Sequence, residues 1–244
     1  MMEIVFASII VTIAAFTIFR LNSITPFIRV TFSRDEYLNG HLKYQIALLF
    51  LASIVLLLAY FQNPTNFSVL LSLGNISAPA KPVAWFGIGE NRSWLFAGLY
   101  LSIIITLGTL TFVYFQFRHL KMSVSEVFPY VGWILLFSLT NSFSEEVIFR
   151  IGIISPSMGT IDASYIALIS AAIFGLAHFS GMPHGLIGMF MAGFLGWFLA
   201  KSVMETHGIF WAWSIHLFQD VVIYIGFILS RISQTQYKRA DVYG

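Results

Sequence analysis

The feature that most constrains this chain is a succession of apolar runs that reach or approach the length of a membrane crossing. About 20 apolar residues in a helix span roughly 30 Å of hydrocarbon. Runs near 4–19, 46–62, 94–116, 129–154, 162–180, 185–204 and 208–230 meet or approach that length. They predict an all-α, polytopic transmembrane bundle of about seven helices, with six to eight as the range. Composition rules out the soluble alternative. Hydrophobic residues make up 58% of the chain and charged residues 10%, with a mean hydropathy of +0.83. A soluble domain carries roughly 25% charge, so this chain has too few charges to coat a surface in water.

The 244 residues are expected to form a single integral membrane domain over 1–244. Residues 4–19 read as a retained first helix and not a cleaved leader, because Glu3 stands where a leader carries Lys or Arg. The stretch from Arg20 to Tyr44 reads as a polar connection, with residues 63–92 as an irregular or interfacial loop and a polar surface tail from Arg231. Cys is absent, which excludes disulfides, thiolate metal sites and a Cys nucleophile. A net charge of +2 without a basic stripe gives no reason to expect nucleic acid as a partner.

Lys and Arg in the connections predict orientation. Arg20, Arg29, Arg34, Lys43, Arg118, Lys121, Arg231, Lys238 and Arg239 fall on one side, and Lys81, Arg92, Arg150 and Lys201 on the other. The larger group predicts a cytoplasmic C-terminus. Gly188, Ala192 and Gly196, with Gly185 and Gly193 nearby, have the small-xxx-small spacing that lets helices approach closely. Phe210, Trp211 and Trp213 read as an interfacial anchor, His41, His119 and His207 as solvated loop residues, and His184 as interfacial or lining the mouth of a site.

Ionisable residues within the last spans narrow the function. Such groups are costly in hydrocarbon and by default mark a functional site. Glu145, Glu146 and Arg150 sit in the fourth run. Glu146 and Arg150 are four apart and share a helix face, so they read as a supporting ion pair. Glu145 projects about 100° away and is left for chemistry. Phe174 and His178 in the fifth run, and His216 and Asp220 in the seventh, repeat the spacing of four. From helical rise, Glu145, His178, His216 and Asp220 lie roughly 12–24 Å from one membrane face, a common middle band. A carboxylate next to an imidazole fixes its tautomer, so Asp220 is expected to touch and orient His216.

The ordered motifs Glu145-Glu146-x-x-x-Arg150, Phe174-x-x-x-His178 and His216-x-x-x-Asp220 resemble those of the CAAX protease and bacteriocin-processing family, also called the ABI family. That family includes the Ras-converting CAAX endopeptidase. The similarity covers a catalytic core of about 125–230. It implies a glutamate-dependent intramembrane endopeptidase, with no cofactor or metal. By position, Glu145 and His178 hold and deprotonate a water, while His216 and residue 220 stabilise the oxyanion. Relatives similar to the CAAX endopeptidase usually have Asn where this chain has Asp220. An ionised Asp cannot donate to an oxyanion. Either Asp220 orients His216, which then donates alone, or Asp220 is protonated.

The implied substrate is a peptide or a lipidated protein segment in the lipid bilayer, and the expected location is a prokaryotic cell membrane. Two other readings stand beside this one. A metal-dependent intramembrane protease is compatible with Glu, His and Asp side chains, although no H-E-x-x-H helix is present. A non-catalytic immunity, scaffolding or transport protein is compatible with the same fold.

Overall fold

Lipid supplies no hydrogen-bond partners, so a spanning segment must close its own backbone bonds. The computed structural model describes residues 9–10, 20–118, 124–180 and 185–243, and among them the regular structure is helical. The helices are α1 (Glu36–Gln62), α2 (Pro64–Leu71), α3 (Trp94–Phe117), α4 (Val131–Glu146), α5 (Gly152–Ser157), α6 (Ala163–Ala177), α7 (Leu186–Thr206) and α8 (Phe210–Tyr243). A π-helical stretch, Val147–Ile151, joins α4 to α5 without a break. Among the described residues, five segments are long and apolar enough to cross a membrane: Glu36–Gln62, Trp94–Phe117, Ser125–Ser157, Leu186–Thr206 and Phe210–Ser233. This is a multi-pass membrane protein. Apart from Ile9 and Ile10, the expected first span lies outside the described residues, as do His119, Lys121 and His184.

Side chains at the helix starts explain where the spans begin. Asp35 accepts a hydrogen bond from the Tyr37 amide, Ser93 from Phe96 and Asp162 from Ser164, satisfying amides that lack a partner in the first turn. Leu99, Ile103, Leu107 and Tyr114 form an outward row on α3 and are each more than half exposed. In water such a row is a liability. In lipid it meets a matching solvent.

The inner spans are arranged around α4, which lies between α1 on one side and α8 on the other. α6 packs closely along α7. A Cβ on Gly175 would stand 2.6 Å from the Met189 carbonyl oxygen and 3.1 Å from the Gly193 Cα. Gly196 lies against the Phe174 ring, where a Cβ would be 3.0 Å from Cδ1. The small residues of α7 thus let α6 approach and fix Phe174.

Several sequence expectations are corrected. α1 starts at Glu36, well before the apolar run, because Asp35 caps it and Asn39 accepts from the Phe32 and Ser33 amides. His41 is therefore helical and packs among Tyr37, Phe137, Tyr224 and Phe227. Lys201 lies inside α7, buried and paired with Glu205, so it does not belong among the loop cations. Trp211 is buried and donates to the Ile76 carbonyl, and Trp213 donates to Ser142, so neither is an interfacial anchor. The tail from Arg231 continues α8 as helix to Tyr243. His207 is exposed as expected and ends α7 in a left-handed conformation.

Candidate active site

α4 carries polar residues on the side that faces the bundle: Ser138, Asn141, Ser142, Glu145 and Glu146 are all buried. Directly after the two glutamates the helix widens into the π turn, where the Gly152 amide reaches back to the Val147 carbonyl. A π turn inserts one residue into the helical circuit, and such insertions recur at functional sites. Across it Arg150 meets Glu146, with Arg150 Nε 3.0 Å from Glu146 Oε2. Neither side chain of the pair has any solvent exposure. The guanidinium also donates to Ser170 Oγ of α6 at 2.9 Å and lies 4.5 Å above the Phe174 ring. One buried cation thus ties α4 to α6.

Glu146 has a second partner that sequence spacing does not reveal. Its Oε1 accepts a 2.8 Å hydrogen bond from His216 Nδ1 of α8. The imidazole is therefore oriented by Glu146 and not by Asp220. Asp220 Oδ1 stands 3.7 Å from His216 Nε2, too far for a direct hydrogen bond. The reason is geometric. Along one helix the carboxylate comes alongside Nε2, whereas Glu146 meets Nδ1 from the neighbouring helix.

His178 ends α6 as its C-cap residue. Its Nδ1 donates to the Phe174 carbonyl at 2.8 Å, which leaves the neutral ring with an acceptor lone pair at Nε2. That atom is 3.7 Å from Glu145 Oε2. His216 Nε2 is also 3.7 Å from the same oxygen. Glu145 is 8% exposed, and its Oε2 has no hydrogen-bond partner, whereas Oε1 accepts from Asn141 Nδ2 at 3.1 Å. Asn141 Nδ2 also donates to Asp220 Oδ2 at 3.1 Å. Phe174 is buried with its ring centroid 4.3 Å from that of His178 and 5.7 Å from that of His216. It acts as a wall for both imidazoles.

Glu145, His178, His216 and Asp220 thus come together from three helices, with Glu146, Arg150 and Phe174 behind them. His178 is the open side, with 32% of its side chain exposed. Asn141 was not singled out from sequence. Its signal was an amide one helical turn before Glu145 on the same face. Among the described residues, no group of three or more His, Cys, Asp or Glu side chains is arranged to hold a metal ion.

The chemistry open to this arrangement is that of a base and an imidazole acceptor sharing one position, with a second imidazole close by. Residues 127–222 match the family model described as type II CAAX prenyl endopeptidase Rce1-like. The match contains all seven residues of the constellation. No curated protein and no solved structure matches the chain.

Proposed function

We propose that this chain, a member of the CAAX protease family through residues 127–222, is an intramembrane endopeptidase that hydrolyses a peptide bond with a water activated by Glu145 and His178. The observation that carries this reading is Glu145 Oε2, a buried oxygen without a hydrogen-bond partner that lies 3.7 Å from an imidazole nitrogen of each of two histidines, His178 and His216. A polar gap wider than 3.5 Å is too long for a direct hydrogen bond and is one that a bridging water can close. Glu145 Oε2 and His178 Nε2 are both acceptors, so a water between them gives one proton to each. Its lone pair is then turned outward to a scissile carbonyl.

Glu145 takes the proton as the water oxygen bonds to the carbonyl carbon, and delivers it to the amide nitrogen as the C–N bond breaks. A positioned base and acid of this kind contributes about 10²–10⁴ in rate. His216 in its doubly protonated form donates from Nδ1 to Glu146 and presents Nε2–H to the oxyanion. Donors held in place before the reaction stabilise the developing charge without reorganisation. Arg150 pairs with Glu146, and Glu146 holds the ring of His216. Asp220 adds a carboxylate beside Nε2 and is itself held by Asn141.

The substrate class is a peptide or lipidated protein segment reached from within the bilayer. The test is comparative mass spectrometry of membrane peptides from cells carrying wild-type or Glu145→Ala protein at equal abundance. Peptides with new termini that disappear in the variant are expected. Identical peptide sets, with the protein's biological effect intact in Glu145→Ala, would overturn the peptidase reading in favour of a non-catalytic role.

A further inference from the structure

Behind the reactive carboxylate lies a second layer of buried amides, one of which comes from outside the family-matched segment. Gln45 on α1 is 2% exposed. Its Nε2 donates to Asn141 Oδ1 at 3.3 Å and to the Tyr224 hydroxyl at 2.7 Å. Its Oε1 accepts from Thr140 Oγ1 at 2.9 Å. Asn141 in turn donates to Glu145 Oε1 and Asp220 Oδ2, both at 3.1 Å. A primary amide has two N–H donors and one carbonyl acceptor. In both residues both the NH2 group and the carbonyl oxygen are engaged.

That full use gives the chain of bonds a direction. Turning the Asn141 amide over would aim its oxygen at two carboxylates and its NH2 at the Gln45 NH2. Buried groups left facing a like partner incur the whole desolvation cost of the group. Gln45 and the two carboxylates together fix which way the Asn141 amide points. Asn141 sets which oxygen of Glu145 is occupied.

We infer that Gln45 and Asn141 are positioning residues for the proposed hydrolysis: Gln45 aims the Asn141 amide, which occupies Glu145 Oε1 and leaves Oε2 for the attacking water. Neither touches the reacting atoms. Their effect passes through Glu145, so it falls on the chemical step and not on substrate binding. Because Gln45 acts only through Asn141, removing both costs no more than removing Asn141. The inference rests on the peptidase reading above.

The test uses the full chain in proteoliposomes with an internally quenched, farnesylated CAAX peptide as probe. Wild-type protein, Gln45→Leu, Asn141→Leu and the double variant are compared for kcat, KM and thermal unfolding. Each single variant is expected to lose about tenfold or more in kcat with KM within about twofold, which marks an interaction made in the transition state. The double variant is expected to match Asn141→Leu, because residues acting in one network are not additive. A merely structural role would instead lower the unfolding temperature and leave kcat of the folded fraction unchanged. Active wild type with kcat retained in Gln45→Leu, or with losses that multiply in the double variant, overturns this inference alone. Wild type that leaves the peptide and its unprenylated counterpart intact overturns the peptidase reading beneath it.

Discussion

Arg150→Met tests the scaffold of the site most sharply, because it removes a charge and keeps most of the side chain's length and apolar stem. Arg150 and Glu146 are both fully buried and lie 3.0 Å apart. Arg150 also donates to Ser170 at 2.9 Å and lies 4.5 Å above Phe174. Deleting the cation leaves Glu146 buried with only the His216 bond, and breaking a buried pair in this way costs about 3–5 kcal/mol. The Ser170 bond and the ring contact belong to the same network, so their losses do not simply add. At about 1.4 kcal/mol per tenfold, the expected loss lowers the folding constant by roughly 10² to 4 × 10³. Equilibrium unfolding by SDS in mixed micelles, followed by far-ultraviolet circular dichroism, measures it. Glu146→Gln/Arg150→Met is expected to be less destabilised than Arg150→Met alone, because the stranded charge is gone. Arg150→Met within about 0.5 kcal/mol of wild type, the range of an ordinary surface substitution, would refute the reasoning.

Further substitutions probe separate parts of the account. Glu146→Gln is expected to lower kcat more than Asp220→Asn, since Glu146 makes the 2.8 Å bond to His216 and Asp220 stands 3.7 Å from it; the reverse order in the peptide assay would return the orienting role to Asp220. Gly175→Val drives a side chain against the Met189 carbonyl, 2.6 Å from the new Cβ, and is expected to cost at least the roughly 1–3 kcal/mol of ordinary overpacking. Gly132→Ala, on a helix with nothing within 4 Å of the new Cβ, is expected to stabilise by about 0.5–1 kcal/mol in the same SDS titration. Asp162 caps α6, and the hydrogen bonds from Ser164 hold its carboxyl below the usual carboxylate range. A depressed value means that its contribution is present above the unfolded pKa, near 3.9, and is lost as pH falls through the folded one. Amide protection at the start of α6, taken relative to the intrinsic exchange rate at each pH, is expected to fall at acid pH in wild type. Asp162→Ala is expected to lack that dependence.

The legible part of the site was the part set by a single helix. Spacings of four placed Glu146 with Arg150, and His216 with Asp220, on shared faces before any helix was packed. What two helices create together was not legible. The bond from His216 to Glu146 joins α8 to α4, and nothing within either segment distinguishes Glu146 from any carboxylate paired to an arginine. The π turn after Glu146 left no mark in an apolar run of Val147, Ile148 and Phe149. Gln45 fell in what read as the margin of a polar connection, because hydropathy registers where a span is apolar and not where its helix begins. Asp35 supplies that start. Trp211 and Trp213 were misplaced for a related reason: a tryptophan near the end of a run reads as interfacial unless the carbonyl or hydroxyl that takes its N–H is known.

The central claim is that Glu145 activates the water that cleaves the peptide. Purified protein in proteoliposomes, given the quenched farnesylated peptide, tests it through Glu145→Gln, which keeps the side chain's shape and removes the base. The account predicts a kcat lower by about 10²–10⁴ with KM and SDS unfolding close to wild type. Cleavage by Glu145→Gln at the wild-type rate would contradict it.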